Sequence, residues 1–266
     1  MPPINEDAVV LRTVDFSETS MIVTFFTRNS GKIACIAKGA RRLKNPFDSA
    51  LDPMNQCKIL VYPKSGDTLD LVTEAKLDER FRVRTLVSMY AGFHVVGFLD
   101  AFLEKGDAMP ELFDLTHRTL ADLINADDRV PASAKLKSPP EEVSRILLRF
   151  EFLAMDLLGF APMLTRCMEC EMEIDEKSQT KTRGRVAFAM LDGGVLCETC
   201  RPGHRQVASL SLPVIKIMRQ LASENDLLWR RLKIDPKILG ELRGVWNQYL
   251  ANRLERPLTT LAWLKR

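Results

Sequence analysis

Two Cys-x-x-Cys pairs, Cys167 with Cys170 and Cys197 with Cys200, place four soft ligands where one metal ion could reach them all. A Cys-x-x-Cys turn presents both sulfurs to one ion, and a second pair completes a tetrahedral shell, the geometry of structural zinc. The gap from Glu171 to Leu196 is somewhat longer than the usual spacing but accommodates two knuckles joined by a hairpin. Phe188 to Leu191 reads as a strand of that hairpin. Asp192-Gly193-Gly194 reads as its turn, delivering Val195-Leu196 directly into the second pair. The competing readings are two disulfides or four free thiols. His204, close behind Cys200, is a weaker candidate ligand. Four thiolates leave no open coordination position, so a zinc ion held this way would contribute folding energy and not a reaction.

Clustered charge is the second feature that could do chemistry. From Arg28 to Phe47 there are six basic residues and no acid: Arg28, Lys32, Lys38, Arg41, Arg42 and Lys44. Cations grouped on the rim of a small barrel suit a polyanion, because each phosphate contacted releases a counterion. The bland alternative is a solvated loop that keeps the domain soluble. A second run, Arg80-Phe-Arg-Val-Arg84, follows Asp78 and Glu79, so local pairing is expected there. Trp229-Arg230-Arg231 reads as a helix end rather than a stacking platform.

Catalytic sets are missing from the sequence. His94 and His117 fall on helical stretches and read as packed or surface residues. There is no Gly-x-x-x-x-Gly-Lys phosphate cradle and no Gly-x-Ser-x-Gly elbow. A metal-dependent hydrolase would need an open metal position that four cysteines do not leave. The expectation is a protein that is not an enzyme.

A formal net charge of +3 over 266 residues does not by itself announce a nucleic-acid binder. No apolar run is long enough to span a bilayer. The opening Met-Pro-Pro-Ile-Asn-Glu-Asp lacks the basic region and apolar core of a signal peptide, so a reducing, cytoplasmic compartment is expected. That favours zinc over disulfides. The two remaining cysteines, Cys35 and Cys57, lie in apolar strand patterns and read as small buried hydrophobes.

The elements that must position these groups come in a clear order. Residues 1–80 carry five strand patterns, at Ala8–Val14, Ser20–Thr27, Lys32–Ala37, Gln56–Tyr62 and Thr68–Leu77, which suit a small barrel. Ala40 to Asn55 is the longest break, a large loop or a loop with one helical turn. Turns are expected at Arg28–Gly31 and Lys64–Asp67. Near Arg84 the period changes: Leu86, Tyr90, Phe93, Val96 (or Gly97) and Leu103 make one helical face, and Leu112, Leu115, Leu120 and Leu123 the next. Asp127 to Pro140 reads as a polar loop. Pro139-Pro140-Glu141-Glu142 starts a third helix, with Ile146, Phe150, Leu153 and Leu157 as its stripe and Gly159 as its end. Leu212–Ser223 and Pro236–Leu254 are two more. The domains expected are 1–80, a helical part over 81–162, the cysteine segment over 163–205, and further helices over 206–266.

At this point the residues carry a resemblance. Val10-Leu-Arg-Thr-Val-Asp-Phe-Ser-Glu-Thr-Ser20, continuing through Ile22–Arg28 into Gly31-Lys32 and Ala37-Lys-Gly-Ala-Arg-Arg42, resembles the opening of the bacterial recombination-mediator family RecO. Phe188 and Gly193-Gly194 before the second cysteine pair resemble the same family, as does the ending Tyr249-Leu-Ala-Asn-Arg-Leu-Glu-Arg-Pro-Leu258. The helical middle, about 85–160, carries only pattern similarity.

The resemblance implies a multidomain α+β fold. An N-terminal oligonucleotide-binding (OB-fold) barrel would precede a helical domain with an inserted four-cysteine zinc-finger-like segment. It also implies binding of single- and double-stranded DNA and annealing of complementary strands. Its partners would be RecR and the C-terminal tail of single-stranded DNA-binding protein, with RecA loaded indirectly, in the bacterial cytoplasm at the nucleoid. Carried over by position, Arg12, Lys32, Lys38, Arg41 and Arg42 are candidate DNA contacts. Arg28 and Lys44 join them on local charge alone. Phe16, Phe47 and Tyr62 are aromatics that could stack on bases, though core or turn packing is the commoner role for each. A zinc-ribbon adaptor that docks proteins, with incidental nucleic-acid affinity, is the alternative function.

Overall fold

The computed structural model describes residues 2–64, 68–131, 139–174, 184–223 and 226–260. Most of the turn expected at Lys64–Asp67 (65–67), most of the polar loop before Pro140 (132–138) and the middle of the link between the cysteine pairs (175–183) lie outside them. The chain divides into two compact units, with the boundary between Pro139 and Pro140. The first two helices therefore belong with the barrel, and the third belongs with the cysteine segment.

In the first unit, β1 (Ile4–Asp15), β2 (Met21–Thr27), β3 (Gly31–Ala37), β4 (Gln56–Tyr62) and β5 (Asp70–Glu79) close a barrel in the order β1-β2-β3-β5-β4. All pairings are antiparallel except β3 with β5, and β4 closes back on β1. This is the five-stranded Greek-key barrel of the oligonucleotide-binding type. Its core is built from inward positions: Val10, Val23, Phe25, Ile33, Cys35, Ala37, Ile59, Val61 and Val72. The β3–β4 connection forms turns with no helix and drives Phe47, Ala50 and Leu51 into that core. Phe47 is only 2% exposed, so it packs and is not available to stack on a base. Cys35 and Cys57 are buried here too, and burial pushes both thiols up to about 12.

A register shift in β1 decides which way its second half faces. The pairing with β2 slips between Val10 and Arg12, leaving Leu11 as an extra residue. Such a bulge inverts the alternation of faces. Thr13 then pairs with inward Val23, while Arg12 and Val14 turn outward opposite Thr24 and Ile22. On β2, Phe25 faces the interior, and its neighbour Phe26 packs edge-on against Phe113 at 5.6 Å.

Phe113 belongs to the second of two helices, α1 (Leu86–Phe102) and α2 (Pro110–Asp128), that cover this side of the barrel. The start of α1 is fixed from α2. Thr85 caps it by accepting from the Ser88 N–H at 3.2 Å. Buried Asp127 accepts from the Arg84 N–H at 2.5 Å and the Thr85 hydroxyl at 2.6 Å. Arg84 also pairs with Asp127 and Asp128, so its partners are 43 and 44 residues away in sequence and not Asp78 or Glu79. Gly31 ends the β2–β3 turn with φ +65°, and a Cβ there would collide with the Asp107 carbonyl.

The second unit holds α3 (Glu141–Leu157), a three-stranded sheet, α4 (Leu212–Ala222), a short α5 (Asp226–Trp229) and α6 (Pro236–Leu254). The sheet runs β7 (Gly194–Leu196), β6 (Arg185–Ala189), β8 (Val207–Ser211). The strand expected at Phe188–Leu191 thus ends at Ala189, because Met190 and Leu191 lie in the turn to β7. Phe152 of α3 stacks on Trp246 of α6 at 3.9 Å, and Trp246 lies 5.3 Å from Tyr249. Glu151 is fully buried and accepts from Arg243 at 2.6 and 2.8 Å. Trp229 is 5% exposed under Arg230, so it ends a helix and is no open platform.

Candidate metal centre and nucleic-acid interface

The first cysteine knuckle is a tight turn. The Glu171 N–H donates to the Cys167 carbonyl at 2.9 Å, and the Cys167 N–H donates to the Met172 carbonyl at 2.8 Å. The second repeats the closure, with the Arg201 N–H donating to the Cys197 carbonyl at 3.0 Å. Strand β7 brings the two together, since the Met168 N–H donates to the Val195 carbonyl at 3.0 Å. The four sulfurs lie within 4.8 Å of one another, and those of Cys170 and Cys197 are 3.8 Å apart. Tetrahedral zinc with bonds of about 2.3 Å needs sulfurs about 3.8 Å apart, so the donor set fits that ion in number, chemistry and spacing. All four cysteines are free of disulfides.

Local electrostatics prepare one sulfur in advance. Burial works against a Cys167 thiolate, but N–H groups of Cys170, Cys197 and Glu169 donate to its sulfur and bring it down to about 6. Cys200 goes the other way, pushed up to about 12 by sharing a proton with the sulfurs of Cys197 and Cys170. Holding all four deprotonated requires a positive ion among them. His204 stands apart from the sulfur group. Its ring bridges Glu169 at 3.2 Å and Asp192 at 3.3 Å, tying the two knuckles' flanks together. Gly193 sits at φ +82° where a Cβ would come within 2.5 Å of the Tyr249 hydroxyl, which itself donates to the Phe160 carbonyl at 2.8 Å. The cysteine module is thereby seated on α6.

The seven candidate DNA contacts separate into two groups. Arg28 forms a two-pronged pair with Asp114 of α2, its Nη2 at 2.9 Å. Lys32 donates to the Asp100 carbonyl at 2.7 Å and lies 3.5 Å from its carboxylate. Arg12 reaches the same carboxylate at 3.8 Å. Arg41 braces two loops, pairing with Asp15 at 3.0 Å and donating to the Ser17 carbonyl at 2.7 Å. Among the described residues, the side chains of Lys38, Arg42 and Lys44 meet no hydrogen-bond or ion-pair partner, and all three residues are exposed. Leu43 stands fully exposed between the last two. The free cations therefore lie in the loop leaving β3, beside the β1–β2 loop to which Arg41 ties it. The counter-charges Asp100 and Asp114 carry no local sequence signal, since each sits in a helix far along the chain from the cation it meets.

A closed barrel of the oligonucleotide-binding type, joined to a helical unit with a four-cysteine group able to hold a metal ion, defines the class of this molecule. The family follows from the whole chain. The family model described as Recombination protein O N terminal matches residues 1–81, and Recombination protein O C terminal matches residues 83–262. The chain belongs to the recombination protein O family. It is 40% identical over 249 residues to the DNA repair protein RecO of Salinibacter ruber, covering 93% of this chain and 86% of that one. It is 39% identical over 222 residues to that of Rhodopirellula baltica (83% and 75%), and 27% identical over 265 residues to that of Myxococcus xanthus (99% and 98%).

Proposed function

We propose that this chain is a recombination mediator. It binds single- and double-stranded DNA, anneals complementary strands, and assists loading of the RecA recombinase on DNA coated with single-stranded DNA-binding protein. It works in the cytoplasm at the nucleoid, with RecR and with the tail of that coating protein. The observation that supports this reading most directly is the loop Lys38–Lys44, whose three unpaired cations project from an oligonucleotide-binding barrel in a family named for recombination.

The mechanism is non-covalent. Lys38, Arg42 and Lys44 hold backbone phosphates and lower the repulsion between two strands, and base pairing then supplies the driving force. Arg12 and Arg41 are exposed enough to join them by exchanging a carboxylate for a phosphate. Arg28 and Lys32 act as clips between barrel and helices. Sequence preference is low, because phosphate contacts carry no base information. Cys167, Cys170, Cys197 and Cys200 would hold a zinc ion, which would supply rigidity to the second unit. The metal takes no part in DNA chemistry.

The test is annealing of complementary oligonucleotides, bare and coated with single-strand binding protein. The intact chain should accelerate both. The double variant Arg42→Ala/Lys44→Ala should weaken duplex binding and lower the slope of log affinity against log salt by about 2. An unchanged slope would remove the loop from the interface. Absence of annealing by the intact chain would leave the adaptor reading in its place.

A further inference from the structure

The loop leaving β3 carries one group that phosphate contact does not use. Leu43 is fully exposed, and it stands between the exposed cations Arg42 and Lys44. The loop that holds it is braced on both sides. On the near side, the Arg42 N–H donates to the Gly39 carbonyl at 3.1 Å, and the Arg41 N–H to the Thr19 carbonyl at 3.1 Å. The Arg41 side chain adds its contacts to Ser17 and Asp15, tying the loop to the β1–β2 connection. Phe16, 58% exposed, adjoins the Ser17 carbonyl that Arg41 grips. On the far side, the Phe47 N–H donates to the Asn45 side chain at 2.9 Å, and Phe47 itself is sunk in the barrel core. A side chain as exposed as Leu43 buries no area in the fold, and its loop is held in place before any ligand arrives.

We propose, on the DNA-binding reading above, that Leu43 is a wedge that enters a base step of bound duplex DNA, unstacks it and so lets wrongly aligned strands re-pair. Charge selects the occupant. An apolar side chain with a cation on each side suits a ligand that is polyanionic outside and apolar within. Duplex DNA is such a ligand, and leucine is among the side chains that proteins insert between base pairs from the minor groove. The scale agrees. Two residues of chain span at most about 7 Å, which is twice the rise of about 3.4 Å between neighbouring bases of one strand. Arg42 and Lys44 therefore match the phosphates on either side of a step that Leu43 has opened to double its height. Unstacking costs least where pairing is already defective, so the wedge acts first at mismatches. Holding such steps open gives misaligned strands a second chance to find their register.

The experiment compares full-length protein with Leu43→Ser and Leu43→Phe on duplexes carrying 2-aminopurine, whose fluorescence rises when the base unstacks. All three proteins keep every cation of the loop, so their duplex salt slopes should agree. Intact protein should raise the fluorescence on binding, Leu43→Ser should lose that rise, and Leu43→Phe should restore it. Intact protein should also bind a duplex with one central mismatch about 10-fold more tightly than a perfect one, and Leu43→Ser should bind both alike. A rise that survives in Leu43→Ser, or no rise when the intact chain is bound, would overturn the wedge. A loss of salt slope together with the rise would overturn it too, since Leu43 would then be holding the cations in place. If Leu43→Ser opens duplex normally but anneals poorly only on coated strands, the residue meets protein and not bases. If the intact chain shows no salt-dependent duplex binding at all, the DNA-binding reading itself fails and takes the wedge with it.

Discussion

Arg28 and Arg42 lie in the same basic stretch, yet one is held by a carboxylate and the other faces solvent. The Arg28 pair lowers the carboxyl of Asp114 below its usual range, chiefly through the hydrogen bond from the guanidinium. Replacing Arg28 with Ala should therefore lower the denaturant midpoint modestly and leave the salt slope of DNA binding unchanged. Arg42→Ala should do the reverse, lowering the duplex slope by about 1 with little effect on stability. Titrating both variants with salt and with urea distinguishes the two roles. A shallower salt slope for Arg28→Ala would show that its guanidinium leaves Asp114 for phosphate. The basic residues were legible in the sequence because a one-sided charge run is a local pattern. Their division into free and held was not, because Asp100 and Asp114 reach them only through the folded barrel and helix pair. The four cysteines were fully legible, since Cys-x-x-Cys spacing encodes its own geometry. Cys197 is 4% exposed, so Cys197→Ser should abolish tight zinc binding and unfold its module, measurable by metal content and thermal scan.

Helix and strand positions were legible for a related reason: their apolar period is written along each segment. What the segments could not show was which face of β1 carries Arg12, because the bulge at Leu11 inverts the alternation without any Gly or Pro to mark it. Strand β8 was missed because Val207–Ser211 acquires its meaning only by pairing with β6. Apolar residues at both parities of β2 and β3 were a readable hint that the barrel uses two faces. The joint between α1 and α2 gives the sharpest test at this scale. Burial alone would raise the Asp127 carboxyl, but donors from Thr85, Arg84 and Ser88 outweigh it and hold the group below its ordinary value. A carboxylate with a lowered folded pKa stabilises above its unfolded value of about 3.9 and loses that contribution as pH falls through the folded one. Asp127→Ala should cost about 1–3 kcal/mol at neutral pH, since it strands buried donors, and the deficit should shrink in acid. A deficit independent of pH between about 5 and 2 would assign the loss to packing and not to charge. In the second unit, Arg243→Ala removes the guanidinium that donates twice to the buried Glu151 carboxylate and should cost about 3–5 kcal/mol by urea titration.

The molecule divides into two compact units, and the two proposed tasks fall one to each. The groups proposed to meet DNA sit on a barrel with its own closed hydrogen-bond ladder and its own core, built from Val10, Phe25, Val61 and their neighbours. The cysteine group sits in a unit whose core is Phe152, Trp246, Tyr249 and Phe188. Metal binding in such a module is folding free energy, because the sulfurs must be gathered and deprotonated before the ion can hold them. Stripping the ion with a strong chelator should therefore act on one unit and spare the other. Amide exchange should accelerate over 163–174 and 184–211, where the knuckles and β6–β8 depend on the gathered sulfurs, while β1 to β5 keep their protection. The salt slope for duplex binding should persist in the stripped protein, since Lys38, Arg42 and Lys44 belong to the barrel. The affinity for metal should also weaken as pH falls, because protons compete for the sulfurs. If the barrel strands lose protection at the same chelator concentration as β6 and β7, the metal stabilises the DNA-binding surface as well. The assignment of the four cysteines to a clip confined to the second unit would then be wrong.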